Sequence, residues 1–178
     1  MPRQPRTTSE RAWPSGNLTH LLPKMPPQPG PWTAGRNVLC DGESPIDTSF
    51  KAVLLDSEMR VLLGTNPRGE WELLGGRAEA QDATPQDTVR REVREEAGID
   101  ITVGAIIDTW FYDIPDTGRV AVTSYLARPV DDVSPVLGTE HADLAFFHAR
   151  ELDDINLPEG YRHSIRLGID QLQATWGK

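Results

Sequence analysis

The chain has 178 residues, 38% of them hydrophobic, and a formal net charge of −9, which suits one domain of ordinary size with terminal extensions. An acidic chain without a Lys/Arg run lacks the basic face that grips a phosphate backbone through counterion release, so long nucleic acid is not an expected partner. No segment approaches the roughly 18 consecutive apolar residues of a membrane span, no secretory signal pattern opens the chain, and the single cysteine, Cys40, agrees with a reducing, cytoplasmic setting.

Residues 1–47 hold most of the prolines and little periodic apolar pattern, as expected of a partly irregular arm. Trp13, Leu18, Leu21, Leu22 and Trp32 interrupt that composition. Apolar anchors on an extended, Pro-stiffened segment suggest that Leu18 to Trp32 packs on a neighbouring subunit, giving a homodimer.

Regular structure is expected from about residue 48 to the end. Phe50–Leu55 and Arg60–Leu63 read as strands joined by a hairpin turn at Asp56-Ser57-Glu58. Trp71–Leu74 is a third short run, stopped by Gly75-Gly76. A helix is predicted from Pro85 to Ala97, with Thr84 as its cap, Pro85 at its first position, Asp87 where a capping acid stands and Gly98 as its left-handed terminator. Val89 and Val93, four apart, supply its buried stripe. Further strands are expected over Ile101–Tyr112, Val120–Ala127 and Leu144–His148, with Asp116-Thr117-Gly118 as a turn. Tyr161, Ile165, Ile169, Leu172 and Trp176 recur at helical spacing, so an amphipathic helix closes the chain. The order predicts a mixed α/β (α+β) fold.

The chemistry-bearing segment is Gly75-Gly76-Arg77-Ala78-Glu79, a linker, and Arg91-Glu92-Val93-Arg94-Glu95-Glu96-Ala97-Gly98-Ile99. On a helix, Glu92, Glu95 and Glu96 share one side. That arrangement is locally unfavourable: Glu92 and Glu96 are a like-charge i,i+4 pair, and acids near the C-terminus oppose the helix dipole. A solvated acidic face balanced by Arg90, Arg91 and Arg94 would explain an isolated helix of this kind. Here a double glycine ends the preceding strand, where backbone can approach a ligand closely and leave a carbonyl free. Carboxylates and a carbonyl are the hard oxygen donors that Mg²⁺ and Mn²⁺ prefer, and the usual setting for water attack on phosphorus.

This segment resembles the signature box of the Nudix hydrolases, in which a Gly, five residues, Glu and seven residues precede Arg-Glu-apolar-x-Glu-Glu-x-Gly-apolar. The second half matches in full from Arg91 to Ile99, and a looser likeness extends over about Ser49–His148. Two departures stand out: Ala83 reads as a one-residue insertion that leaves Asp82 in the place of the first Glu, and Leu74 replaces a common Pro. The resemblance implies an αβα sandwich around a mixed sheet, and a Mg²⁺- or Mn²⁺-dependent hydrolase that cleaves a nucleoside diphosphate linked to another group.

The resemblance further implies Glu92 and Glu96 as main metal ligands, Glu95 as a further ligand or base, and the Gly75 carbonyl as a fourth donor. Arg91 would orient the carboxylates by ion pairing. Glu140 is similar to a loop glutamate that in some members binds metal or activates water, while His141 beside it is expected to be structural. Arg77 is a substrate-binding candidate. So is Trp110, which with Trp71, Phe111 and Tyr112 offers a face for base stacking. Pro115 stands close to where ADP-ribose-cleaving members carry a proline, which tilts the expected small-molecule substrate toward ADP-ribose or a nucleotide sugar over a nucleoside triphosphate. The competing reading is a catalytically weak nucleotide-binding or sensor module of the same fold, supported by Ala83 and Asp82 and opposed by the intact glutamate cluster. Diphosphate isomerisation ranks last, since it calls for a catalytic cysteine and Cys40 lies upstream of the recognisable domain.

Overall fold

The computed structural model describes residues 46–114, 118–131, 135–138 and 141–176, with residues 175 and 176 described by backbone alone. The N-terminal arm to residue 45, the Pro115 position, the first two residues of the expected 116–118 turn, Glu140 and the side chain of Trp176 lie outside the described residues. Among the described residues no helix is long and apolar enough to cross a membrane.

Among the described residues, seven strands and two α-helices follow in chain order: β1 (Asp47–Leu54), β2 (Val61–Thr65), β3 (Trp71–Leu73), β4 (Gly75–Arg77), α1 (Pro85–Ala97), β5 (Ile101–Ile114), β6 (Gly118–Pro129), β7 (Leu144–Phe147) and α2 (Glu159–Trp176). They form a four-stranded sheet ordered β4-β1-β6-β5 and a three-stranded sheet ordered β3-β2-β7. β1 runs parallel to β6 and antiparallel to β4, so the larger sheet is mixed, as expected.

Period-two alternation divides the core between two helical layers. On β1, Ala52 and Leu54 join Val89, Val93 and Ala97 of α1, while Val53 and the following Leu55 join Tyr161, Ile165, Ile169 and Leu172 of α2. β2 repeats the division, with Leu62 toward α1 and Val61 and Leu63 toward α2. These side chains are almost wholly buried, and with a helix on each face the strands carry continuous apolar runs.

α1 has the predicted ends. The Thr84 hydroxyl accepts from the Asp87 amide, and Gly98 adopts φ +67° and donates to the Arg94 carbonyl. The Asp87 carboxylate accepts a hydrogen bond from the Thr84 hydroxyl, a variant of the expected capping arrangement. Two other expectations change form. The 56–58 turn exists, held by Asp56 Oδ1 accepting from the Glu58 and Arg60 amides, yet β1 and β2 separate into different sheets and touch at the single bridge Leu55–Val61. The run expected to stop at Leu74 instead crosses over: β3 pairs with β2, and two residues later β4 pairs with β1.

Glycine makes this crossover feasible. Gly75 adopts φ +128°, and a β-carbon there would fall on the Phe50 carbonyl oxygen and near the Lys51 Cα. Gly75→Ala is therefore expected to lose on the order of 1–3 kcal/mol of stability, through an unfavoured φ and a clash with fixed backbone. Urea denaturation checks this; an unchanged midpoint would show that the crossover tolerates a side chain.

Candidate active site

α1 projects its glutamates at the crossover. Glu92 and Glu96 are 8% and 3% exposed, whereas the Glu95 side chain is 53% exposed and stands at the rim. Glu96 Oε2 accepts the Gly75 amide at 2.8 Å, tying the helix directly to the start of β4. The Glu92 carboxylate lies against Gly76, where a β-carbon would meet Oε1 at 2.5 Å. The two glycines thus differ in what they permit. Gly75 makes the crossover, and Gly76 leaves room for a carboxylate.

Arg91 supplies the opposing charge. Its guanidinium lies 3.0 Å from Glu92 Oε1 and 3.2 Å from Glu95 Oε2, and donates at 3.0 Å to the Arg77 carbonyl. Asp82 takes it with both oxygens, Nε to Oδ1 at 3.1 Å and Nη2 to Oδ2 at 2.9 Å. Asp82 also accepts the Glu79 amide and the Thr88 hydroxyl. Asp82 is therefore a brace for Arg91 and for its own loop. These hydrogen bonds, that from Arg91 foremost, hold the Asp82 carboxyl well below the usual range, and the Arg91 guanidinium is raised in turn.

The segment after β6 returns to the same place. The Gly138 amide donates to the Glu96 carbonyl, and His141 Nε2 lies 3.1 Å from Glu96 Oε1, off the line of a good hydrogen bond. His141 Nδ1 is 3.0 Å from the Thr65 carbonyl, and a β-carbon at Gly64 would strike the imidazole. His141 thus anchors its loop to β2, as expected of a structural residue, and also contacts Glu96. Burial, the largest influence, lowers its pKa, but Glu96, the Thr65 carbonyl and Glu72 together outweigh it and leave the value raised.

On the α2 side of the crossover lies a cavity of about 120 Å³. Three cations, Lys51, Arg68 and Arg77, and one carboxylate, Glu72, line it together with Tyr112 and Tyr161. Within a chain of net charge −9, that lining is suited to an anion. Arg68 pairs with Glu70 at 2.9 Å and lies over the Tyr112 ring, and Arg77 pairs with Asp47 at 2.9 Å. Burial above all pushes the Tyr161 phenol far up, so it remains a neutral hydroxyl. Trp110 is absent from this lining: it packs behind the two tyrosines and against Gly160. The exposed Phe111 ring lies under Arg119, and Trp71 packs edge-on to Phe147.

Sequence reasoning passed over Lys51, Arg68, Glu72 and Tyr161 as site residues. For Lys51 a signal existed: it is the lone cation within the apolar run of β1. The three others depend on a tertiary juxtaposition with no local mark.

Comparison with known proteins gives the family and the fold. Residues 45–167 match the NUDIX domain model, and the chain belongs to that family. It is 36% identical over 69 residues to an 8-oxo-dGTP diphosphatase of Proteus vulgaris, a match that covers 36% of this chain and 61% of the relative's length. Its fold is similar to that of a C. elegans Ap4A hydrolase, with a TM-score of 0.65 and 18% identity over 72% of this chain and 99% of the other. It is also similar to an ADP-ribose pyrophosphatase from Streptococcus suis, with a TM-score of 0.57 and 21% identity over 71% and 92% of the two chains.

The Asp82 brace has a pH signature. Its carboxyl is depressed in the folded state, so its stabilisation is complete above the unfolded value of about 3.9 and is lost as pH falls from there toward the folded value. Asp82→Asn is expected to lower stability at pH 7 and to flatten the loss of stability below about pH 4. Urea melts of both proteins at pH 7 and pH 3 check it; equal acid slopes would contradict the brace.

Proposed function

We propose that this chain is a divalent-metal-dependent pyrophosphohydrolase that cleaves a phosphoanhydride bond in a nucleoside diphosphate linked to another moiety, by water attack on phosphorus. The observation that carries the reading is the junction at Gly75. There the Gly75 amide donates to the buried Glu96, and the Gly75 carbonyl accepts from Lys51, which lines the cavity with Arg68, Arg77, Glu72 and the two phenols.

The donor set fits Mg²⁺ or Mn²⁺ in kind, since Glu92, Glu95, Glu96 and the Gly75 carbonyl are all hard oxygen ligands. Among the described residues no three His, Cys, Asp or Glu side chains converge on one point. Mg²⁺ commonly relies on one or two carboxylates with substrate phosphates and water, so a full protein cage is not required. The Gly75 carbonyl already serves a cation, because the Lys51 ammonium donates to it. Once bound, the ion supplies a Lewis acid for the phosphoryl oxygens.

The chain's own residues do the rest. Arg91, braced by Asp82, holds Glu92 and Glu95 in place. Lys51, Arg68 and Arg77 draw the phosphates to the cavity, and Tyr112, Tyr161 and Glu72 offer partners for sugar or base hydroxyl and amino groups. Glu140 is proposed as a further metal-binding or water-activating acid, because Gly138 and His141 on either side of it both contact Glu96. The two phenols and Glu72 suit the additional sugar hydroxyls of ADP-ribose or a nucleotide sugar. An oxidised nucleoside triphosphate is the second reading, favoured by the diphosphatase relative. The arm is proposed to join two copies of the chain, which sedimentation of a 1–36 deletion would test.

Product release from ADP-ribose, nucleotide sugars, dinucleoside polyphosphates and nucleoside triphosphates including 8-oxo-dGTP, with and without Mg²⁺ or Mn²⁺, tests the reading. One substrate class should turn over only with metal. Glu96→Gln and Glu92→Gln should then remove more activity than the roughly 10–100-fold typical of groups that merely support a ligand, and Asp82→Ala should stay within that range. Normal turnover by folded Glu96→Gln would contradict the metal-site assignment, and no metal-dependent turnover of any substrate in the panel would leave a binding module as the function.

A further inference from the structure

Lys51 makes one contact at the junction that drawing phosphates to the cavity does not explain. It faces Gly75 across the β1–β4 ladder. Its side chain is 7% exposed, and Nζ donates to the Gly75 carbonyl oxygen at 2.5 Å. The Glu72 carboxylate is farther off, at 3.9 Å. A buried ammonium needs partners, and a carboxylate is ordinarily the better one. Here the closer contact is the carbonyl proposed above as a metal donor.

A divalent ion on that oxygen and an ammonium beside it repel each other. Lysine is suited to yield, because its charge sits on a flexible four-carbon stem with three rotatable donors. The same side chain lines the cavity beside Arg68 and Arg77. An ammonium displaced from Gly75 therefore has an anion-binding space to turn into.

We propose that Lys51 is a built-in competitor for the Gly75 carbonyl: without a divalent ion its ammonium holds that oxygen, and with one it turns into the cavity onto a substrate phosphate. Metal uptake and phosphate binding are thereby coupled through one side chain. A phosphate in the cavity draws Lys51 away and frees the carbonyl, and an ion on the carbonyl releases Lys51 for phosphate. The inference rests on the metal site of the proposed function.

The test uses the full chain and Mn²⁺ alone, with free Mn²⁺ followed by electron paramagnetic resonance. Lys51→Gln keeps a hydrogen-bond donor without the charge, Lys51→Met removes both, and Lys51→Arg keeps the charge. The two neutral variants should bind Mn²⁺ about tenfold more tightly than the wild type, equivalent to about 1.4 kcal/mol, while Lys51→Arg stays near the wild type. On the substrate found by the release panel, the neutral variants should raise KM with a smaller change in kcat. Unchanged or weaker Mn²⁺ binding in Lys51→Gln, or equal tightening in Lys51→Arg, overturns the competition. Wild-type binding no stronger than that of Glu92→Gln overturns the metal site itself, and this inference with it.

Discussion

The hydrogen bond from the Gly75 amide to Glu96 joins the two halves of the molecule that matter most. On one side stands α1, whose glutamates are too crowded to be stable without positive partners. On the other stands a strand that leaves the smaller sheet after Leu73 and enters the larger one at Gly75. Because the bond falls at the crossover, the helix face, the Gly75 carbonyl and the edge of the cavity are set by one piece of backbone. Its geometry needs glycine twice: Gly75 for its φ of +128°, and Gly76 for the space its missing side chain leaves to Glu92.

Charge balance around this point is local. Like charges at Glu92 and Glu96 would repel along the helix, and Arg91 answers Glu92, Glu95 and Asp82 with one guanidinium. Asp82 in turn draws on an amide and a hydroxyl, so the brace does not rest on the ion pair alone. The short Asp82 side chain reaches Arg91 with both of its carboxylate oxygens.

What was legible in the sequence was what local chemistry dictates. Thr84, Pro85 and Gly98 mark the ends of α1, and Val89 and Val93 mark its buried side, because caps and periodicity act within a few residues. The glutamate face was legible for the same reason. The separation of β1 from β2 was not, since a turn at Asp56 serves either a hairpin or a change of sheet. The crossover at Leu74 was hidden because two glycines read equally well as a stop. Trp110 was a candidate for base stacking, and its packing against Tyr112, Tyr161 and Gly160 of a helix 50 residues later has no local mark. The contact of His141 with Glu96 depends on a return of the chain after β6 that no local pattern announces.

The central claim is that a divalent ion binds at the junction of Gly75 with the glutamate face. Crystals grown with Mn²⁺ and imidodiphosphate, a non-hydrolysable mimic of the phosphoanhydride, test it through anomalous diffraction at the manganese edge. The account predicts an anomalous peak within about 2.0–2.3 Å of the Gly75 carbonyl or a Glu92, Glu95 or Glu96 oxygen, with the mimic extending into the cavity beside Lys51. A manganese peak elsewhere, or the mimic bound with no manganese at these oxygens, would contradict it.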